Sequence, residues 1–270
     1  MTTPERNPKE PKSSISLESR RSLDNDIFED FKAYGITKVQ SKEIAKKYKF
    51  IPRNFVNRDN SSNKVYVFTI TGGPCAGKTT CLEYLVERFS PRFKVYCLPE
   101  LASITINAGV NIIPSEFTND SHTEFTKAIM KHQMHTEHYF YDIAKNQKKD
   151  VLIFCDRGMM DNIAYCKPEV ADRVFSETGW SRQKITNLRY DAVFHLVTAA
   201  DGAEKFYTCE NNKARTETPE VARMVDKWIQ SAWRDHENQT YNFLNFTKIG
   251  LSKTPKLALM IRLNDFIKQF

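Results

Sequence analysis

The sequence has no pair of cysteines at C-x-x-C spacing, no apolar stretch of membrane-spanning length and no apolar core near its first residues. Its six cysteines are Cys75, Cys81, Cys97, Cys155, Cys166 and Cys209. Three of them lie in a glycine loop or in apolar strand-like runs, the pattern of reduced, buried thiols in a cytosolic protein. The longest apolar runs, around Val65–Ile70 and Val151–Cys155, fall far below the roughly 18–20 residues a spanning helix needs. Residues 1–6 carry no signal-type apolar segment, and Thr2 stands where N-myristoylation requires glycine. No internal repeat of solenoid period is present. The expectation is a cytoplasmic protein without a transmembrane segment.

What is present is basic. The formal charge is +7 over 270 residues, and part of the excess sits at the ends, in Arg20, Arg21, Lys46, Lys47, Lys49 and the stretch Lys248–Lys268. Such ends read first as solvated faces; anionic phospholipid, and with it peripheral membrane association, is the second reading. Nucleic acid is disfavoured, because no module interleaves basic and aromatic residues. Composition is otherwise ordinary for a globular chain, with 40% hydrophobic and 27% charged residues.

Residues 1–23 have almost no large apolar side chains and are expected to be a disordered tail. Residues 24–63 regain apolar residues at Ile27, Phe28, Phe31, Tyr34, Val39, Ile44 and Tyr48, enough for a small helical segment, and close on the polar linker Asn57–Asn63. From residue 64 to 270, short β-type runs alternate with helical stretches. Strands are predicted at Val65–Thr71, Lys94–Leu98, Val151–Cys155, Ala192–Thr198 and Tyr241–Phe246. Helices are predicted at Thr79–Phe89, from Leu101, at Ser121–Lys145 with a Ser121/Glu124 capping box, at Glu217–His236 with Thr218 as N-cap, and at Pro255–Phe270. The fold class this implies is α/β, a doubly wound parallel sheet with helices on both faces.

One motif carries chemistry. Gly72, Gly73, Pro74, Cys75, Ala76, Gly77, Lys78 and Thr79 match G-x-x-x-x-G-K-[ST] between a strand and a helix, with Thr80 following. In such a loop the backbone amides converge on the β-phosphate. Lys78 neutralises β/γ oxygens, and the Thr79 hydroxyl reaches Mg²⁺. The run Val151–Cys155 then ends in Asp156, the pattern of a strand-end acid facing the magnesium. Thr79 and Asp156 are therefore the metal candidates, and ATP or GTP with Mg²⁺ the expected ligand.

These residues, with Val95–Glu100, Cys155–Asp161, Arg189–Glu204 and Ala214–Glu220, resemble an AAA-like P-loop NTPase family. It joins the ribosylnicotinamide kinase domain of NadR to the N-terminal domain of the TRPL translocation defect protein. The likeness spans about Val65–Asn245 and is closer to the translocation-defect branch, notably over Thr198–Glu204. For the NadR branch it implies a nucleoside kinase; for the other branch it implies GTP and phosphoinositide binding in membrane trafficking. The triphosphate-tunnel domain usual in the second branch does not follow within these 270 residues, so a lipid role borne by that domain does not carry over. Tyr241–Asn245 also departs from the family's Ile-Asp-Asn, with Leu244 in place of the acid.

Further candidates have plain rivals. Glu100, after β-type residues and Pro99, resembles a general base for an attacking hydroxyl, or is a helix-start glutamate. Arg215 resembles a lid arginine, with Lys213 behind it, or is a solvated loop residue. Arg157 contacts phosphate or pairs with Asp161. His122, His132, His135 and His138 share a helix without converging on a metal. Trp228 and Trp233 read as core anchors. No Asn-Lys-x-Asp guanine reader is present, since Asn212–Arg215 lacks the aspartate. The expected activity is Mg-dependent NTP binding with slow hydrolysis or phosphoryl transfer, of kinase-like type; the alternative is a GTP-binding, phosphoinositide-associated trafficking adaptor with no small-molecule acceptor.

Overall fold

The computed structural model describes residues 63–110, 116–202, 204, 207 and 218–234. The predicted tail, the small helical segment, Arg215 and Lys213 with the rest of their loop, the run 241–246 and the helix 255–270 lie outside the described residues.

Strands β1 (Val65–Gly72), β2 (Lys94–Leu98), β3 (Val151–Asp156) and β4 (Ala192–Leu196) form one sheet in the order β2-β3-β1-β4. Every pairing is parallel, with Val65 opposite Val151, Phe68 opposite Ala192 and Lys94 opposite Val151. Parallel neighbours need crossover connections, and helices supply them: α1 (Lys78–Phe89), α2 (Leu101–Asn107), α3 (Asn119–Lys145), α4 (Met159–Ala164), α5 (Pro168–Thr178) and α6 (Arg182–Arg189), with α7 (Pro219–Ala232) after β4.

Side-chain alternation along the strands feeds two cores. Tyr66, Phe68, Ile70, Leu152, Phe154 and Phe194 face α1, packing on Leu82, Leu85 and Phe89. Val67, Val151, Ile153, Cys155 and Val193 face the opposite side, where Met130, Met134, Val174, Ile185 and Ile229 cover them. A strand buried on both faces is a continuous apolar run, as Val151–Cys155 is.

Three expectations are corrected. Helix α3 begins at Asn119, capped by Thr118, whose hydroxyl accepts from the Ser121 amide at 3.1 Å; Ser121 is one turn inside. Trp228 is 45% exposed, whereas Trp233 is buried at 1%, because on α7 the sheet-facing stripe runs through Val225, Ile229 and Ala232. Asn63 is no solvated linker residue but a buried anchor, donating to the carbonyls of Ala144 and Lys149 at 2.9 and 3.1 Å. Of the three thiols in the glycine loop and strand-like runs, Cys155 is buried as expected, Cys75 is half-buried and Cys97 is exposed on the edge strand β2. Among the described residues no helix is long and apolar enough to cross a membrane.

Candidate nucleotide site

The glycine loop leaves β1 at the sheet's C-terminal edge and enters α1 through Gly77, whose φ of 79° is left-handed. Gly72 has φ 141°, and a Cβ there would stand 2.0 Å from the Leu196 carbonyl oxygen. Only glycine lets β1 turn so close to β4. Cys75 is also left-handed, at φ 56°. The unusual backbone is braced from outside: the Thr198 hydroxyl donates to the Pro74 carbonyl, and the Ala199 amide donates to the Cys75 carbonyl at 3.4 Å.

Lys78 is buried, and its ammonium donates to the carbonyls of Gly72 and Gly73 at 3.1 and 3.2 Å. Burial, with the nearby Arg157 charge second, pulls its pKa down from the usual 10.5 to about 8. Thr79 and Thr80 are exposed on the first turn of α1. Asp156 ends β3 beside β1, opposite Ile70. Its Oδ1 is buried and accepts no hydrogen bond from the described residues, and burial raises its pKa despite the Lys78 charge. A buried carboxylate oxygen without a donor suits a cation, and magnesium asks only one or two protein carboxylates while phosphates and water complete its shell. No cluster of three or more His, Cys, Asp or Glu suited to a metal exists among the described residues, the α3 histidines included.

Arg157 follows Asp156 in a left-handed conformation, φ 68°, which is costly for a residue with a side chain. Its Nε donates to Glu100 Oε1 at 2.5 Å, its Nη1 to the Gly72 carbonyl at 3.3 Å and to Asp161 at 3.4 Å. The pairing with Asp161 is thus present, but the shorter one is with Glu100. Glu100 is the N-cap residue of α2 and also accepts from Ser103 at 2.9 Å. Burial pushes its pKa up, yet the Arg157 and Lys78 charges outweigh it and hold the carboxyl below the usual range. Lys78, Glu100, Asp156 and Arg157 therefore share one electrostatic cluster at the loop.

Two further acids hold this cluster: Asp161, which the sequence suggested only as a partner for Arg157, and Asp226, which sequence reasoning missed. Asp161, 1% exposed, accepts from the Thr71 hydroxyl, from the Gly158 amide at 2.8 Å and from the Trp233 indole at 3.3 Å. Asp226 of α7 accepts from the Gly73 amide at 2.8 Å. Asp226 lies in no motif whose chemistry a local reading could assign; it is marked only by being an acid on an apolar helix face.

A parallel sheet, a strand–glycine loop–helix unit with its lysine turned into the loop, and an adjacent strand ending in a buried acid define a P-loop nucleotide-binding domain of the NTPase type. Residues 67–245 match the family described as AAA domain. That is more than half of the 270 residues, and the chain belongs to that family. No curated protein matches the chain closely enough to stand as a relative.

Proposed function

We propose that the domain binds a Mg-nucleoside triphosphate, ATP or GTP, on Gly72–Thr80 and hydrolyses it slowly or transfers its terminal phosphoryl group, in the manner of a kinase. The observation that carries the reading is the buried Asp156 Oδ1 at the end of β3, which meets no donor among the described residues, beside a lysine whose ammonium donates to the Gly72 and Gly73 carbonyls of the loop. Asp156 and Thr79 would hold the metal, which when bound neutralises β/γ charge and orients the transferring group. Lys78 is displaced from the Gly72 and Gly73 carbonyls onto the β/γ oxygens. Glu100 accepts a proton from the attacking hydroxyl or water once Arg157 turns away, and Arg215 closes over the phosphates from its loop.

One contact favours a second reading. Glu100 is held ionised by Arg157 at 2.5 Å, and a carboxylate of lowered pKa is a poor base. A nucleotide-dependent adaptor of the translocation-defect type, with a trafficking partner or anionic phospholipid, needs no such base. The test is a binding panel of ATP, GTP, CTP and UTP, with and without Mg²⁺, followed by turnover measured against a panel of nucleosides. Triphosphate binding in the micromolar range or tighter, dependent on Mg²⁺, supports the proposal; absence of binding to all four refutes it. Turnover that no acceptor raises selects the adaptor.

A further inference from the structure

Asp226 stands 153 residues from Gly73 in sequence, on the middle of α7, and is 3% exposed. A carboxylate so buried is destabilising unless its oxygens are met by donors. They are met: Oδ1 accepts from the Gly73 amide at 2.8 Å, the Thr198 amide at 3.2 Å and His195 Nε2 at 3.0 Å, and Oδ2 accepts from Gln230 at 2.8 Å. The donors outweigh burial and hold the carboxyl below its ordinary range, with His195 the leading partner, so Asp226 is ionised and His195 Nε2 carries the hydrogen. Thr198, fixed by that same oxygen, turns its hydroxyl onto the Pro74 carbonyl. One carboxylate thereby fixes the second residue of the phosphate loop directly and the third through its neighbour.

The fit is close. A Cβ on Gly73 would meet Asp226 Oδ1 at 2.7 Å and Asp226 Cβ at 2.8 Å, so α7 and the loop touch backbone to side chain. Arg223, one turn earlier on α7, donates to the Ala200 carbonyl at 2.7 Å and clamps the same helix to the loop that follows β4. Within the loop, which holds left-handed residues at Gly72, Cys75 and Gly77, the Ala76 amide donates to the Gly73 carbonyl at 3.3 Å and Lys78 to the Gly72 and Gly73 carbonyls. These bonds hold carbonyls, and the Gly73 amide is held from outside by Asp226.

We infer that Asp226 is a positioning residue for the triphosphate: through the Gly73 and Thr198 amides it holds the phosphate loop in its binding conformation, without touching the nucleotide itself. The inference rests on the nucleotide site proposed above.

The experiment uses the full chain, with Mg-ATP and Mg-GTP as probes. Affinity is measured by calorimetry, and hydrogen exchange at Gly73 and Thr198 is followed in the ligand-free protein. Asp226→Asn keeps an acceptor for both amides and is expected to stay within about threefold of wild type. Asp226→Ala removes it and is expected to weaken Mg-triphosphate binding by about tenfold or more, with faster exchange at both amides. If the alanine variant does not fold, Asp226→Glu displaces the carboxylate by one methylene and should show the same two changes. A folded alanine or glutamate variant that loses thermal stability but binds like wild type makes Asp226 a mere anchor of α7 and overturns the inference. Equal loss in Asp226→Asn and Asp226→Ala overturns it too, since charge and not position would then be at work. Failure of the wild-type protein to bind either probe is a different result, because it removes the proposed function itself.

Discussion

At the residue scale the site turns on Lys78, an ammonium buried among carbonyls of its own loop. In the proposed site Lys78→Ala deletes the charge that would face the β/γ oxygens, and Lys78 belongs to neither apolar core cluster. The variant is expected to keep its circular dichroism spectrum and to lose most Mg-triphosphate affinity by calorimetry. The lowered pKa of Lys78 adds a pH dependence of definite sign. In the free protein the side chain loses its proton near pH 8, and the bound phosphates require it protonated. Affinity should therefore hold up to about pH 8 and then fall by about tenfold per pH unit. Lys78→Met should show no such break. Asp156 and Arg215 separate in another way: Asp156→Asn should abolish the Mg²⁺-dependent part of binding, whereas Arg215→Ala should leave binding within a few fold and cut turnover, since a lid acts on closure. Equal binding losses in both would remove the lid assignment.

Among the elements, α3, α4 and α6 are stitched together by one buried acid. Glu137 of α3 accepts from Arg189 Nε at 2.9 Å, at the end of α6, and from the Tyr190 hydroxyl at 2.7 Å. That hydroxyl in turn accepts from the Met159 amide at 2.8 Å, where α4 begins. Gln133, one turn before Glu137, donates to the Arg157 carbonyl at 3.1 Å. The network thus reaches the strained residue beside Asp156. Glu137 and Arg189 side chains are both 4% exposed, so Glu137→Ala removes the carboxylate that offsets a buried guanidinium charge and should lower urea stability by about 3–5 kcal/mol. Glu137→Leu combined with Arg189→Met removes both charges and should lose markedly less. A double variant as unstable as the sum of the singles would show that the pair is not coupled. Little of this was legible beforehand. Glu137 and Arg189 lie outside any phosphate motif, and a charged residue at one helix position reads as surface until another element is packed against it.

For the whole molecule, a ligand that binds only the folded state stabilises it by mass action. At about 100 times its dissociation constant, Mg-triphosphate should raise the unfolding free energy by about 2.7 kcal/mol, and chelation of Mg²⁺ should reverse most of that in a thermal-shift titration. The C-terminal stretch gives a second test at this scale. Its Leu257, Met260, Ile261, Leu263, Phe266, Ile267 and Phe270 are too many for one narrow stripe, which predicts a helix packed on the sheet. Deleting residues 255–270 should yield an unstable or insoluble protein. A truncated protein that stays folded and nucleotide-competent but no longer sediments with anionic liposomes would identify a membrane-surface helix instead.

The four described strands, the helices Lys78–Phe89, Asn119–Lys145 and Pro219–Ala232 to within a few residues, and the glycine loop with the strand-end Asp156 were all legible in the sequence. These are local properties: an apolar run, a glycine spacing, Thr218 before Pro219. The short helices α4, α5 and α6 did not announce themselves, being too brief for a clear period. Tertiary structure alone decided that Trp233 is core and Trp228 surface, that Glu100 is spoken for by Arg157, and that Asp226 reaches Gly73 across 153 residues. Each depends on which helix face meets the sheet and on contacts distant in sequence. Spacing along a chain fixes the first kind of fact; only packing brings together the partners that fix the second.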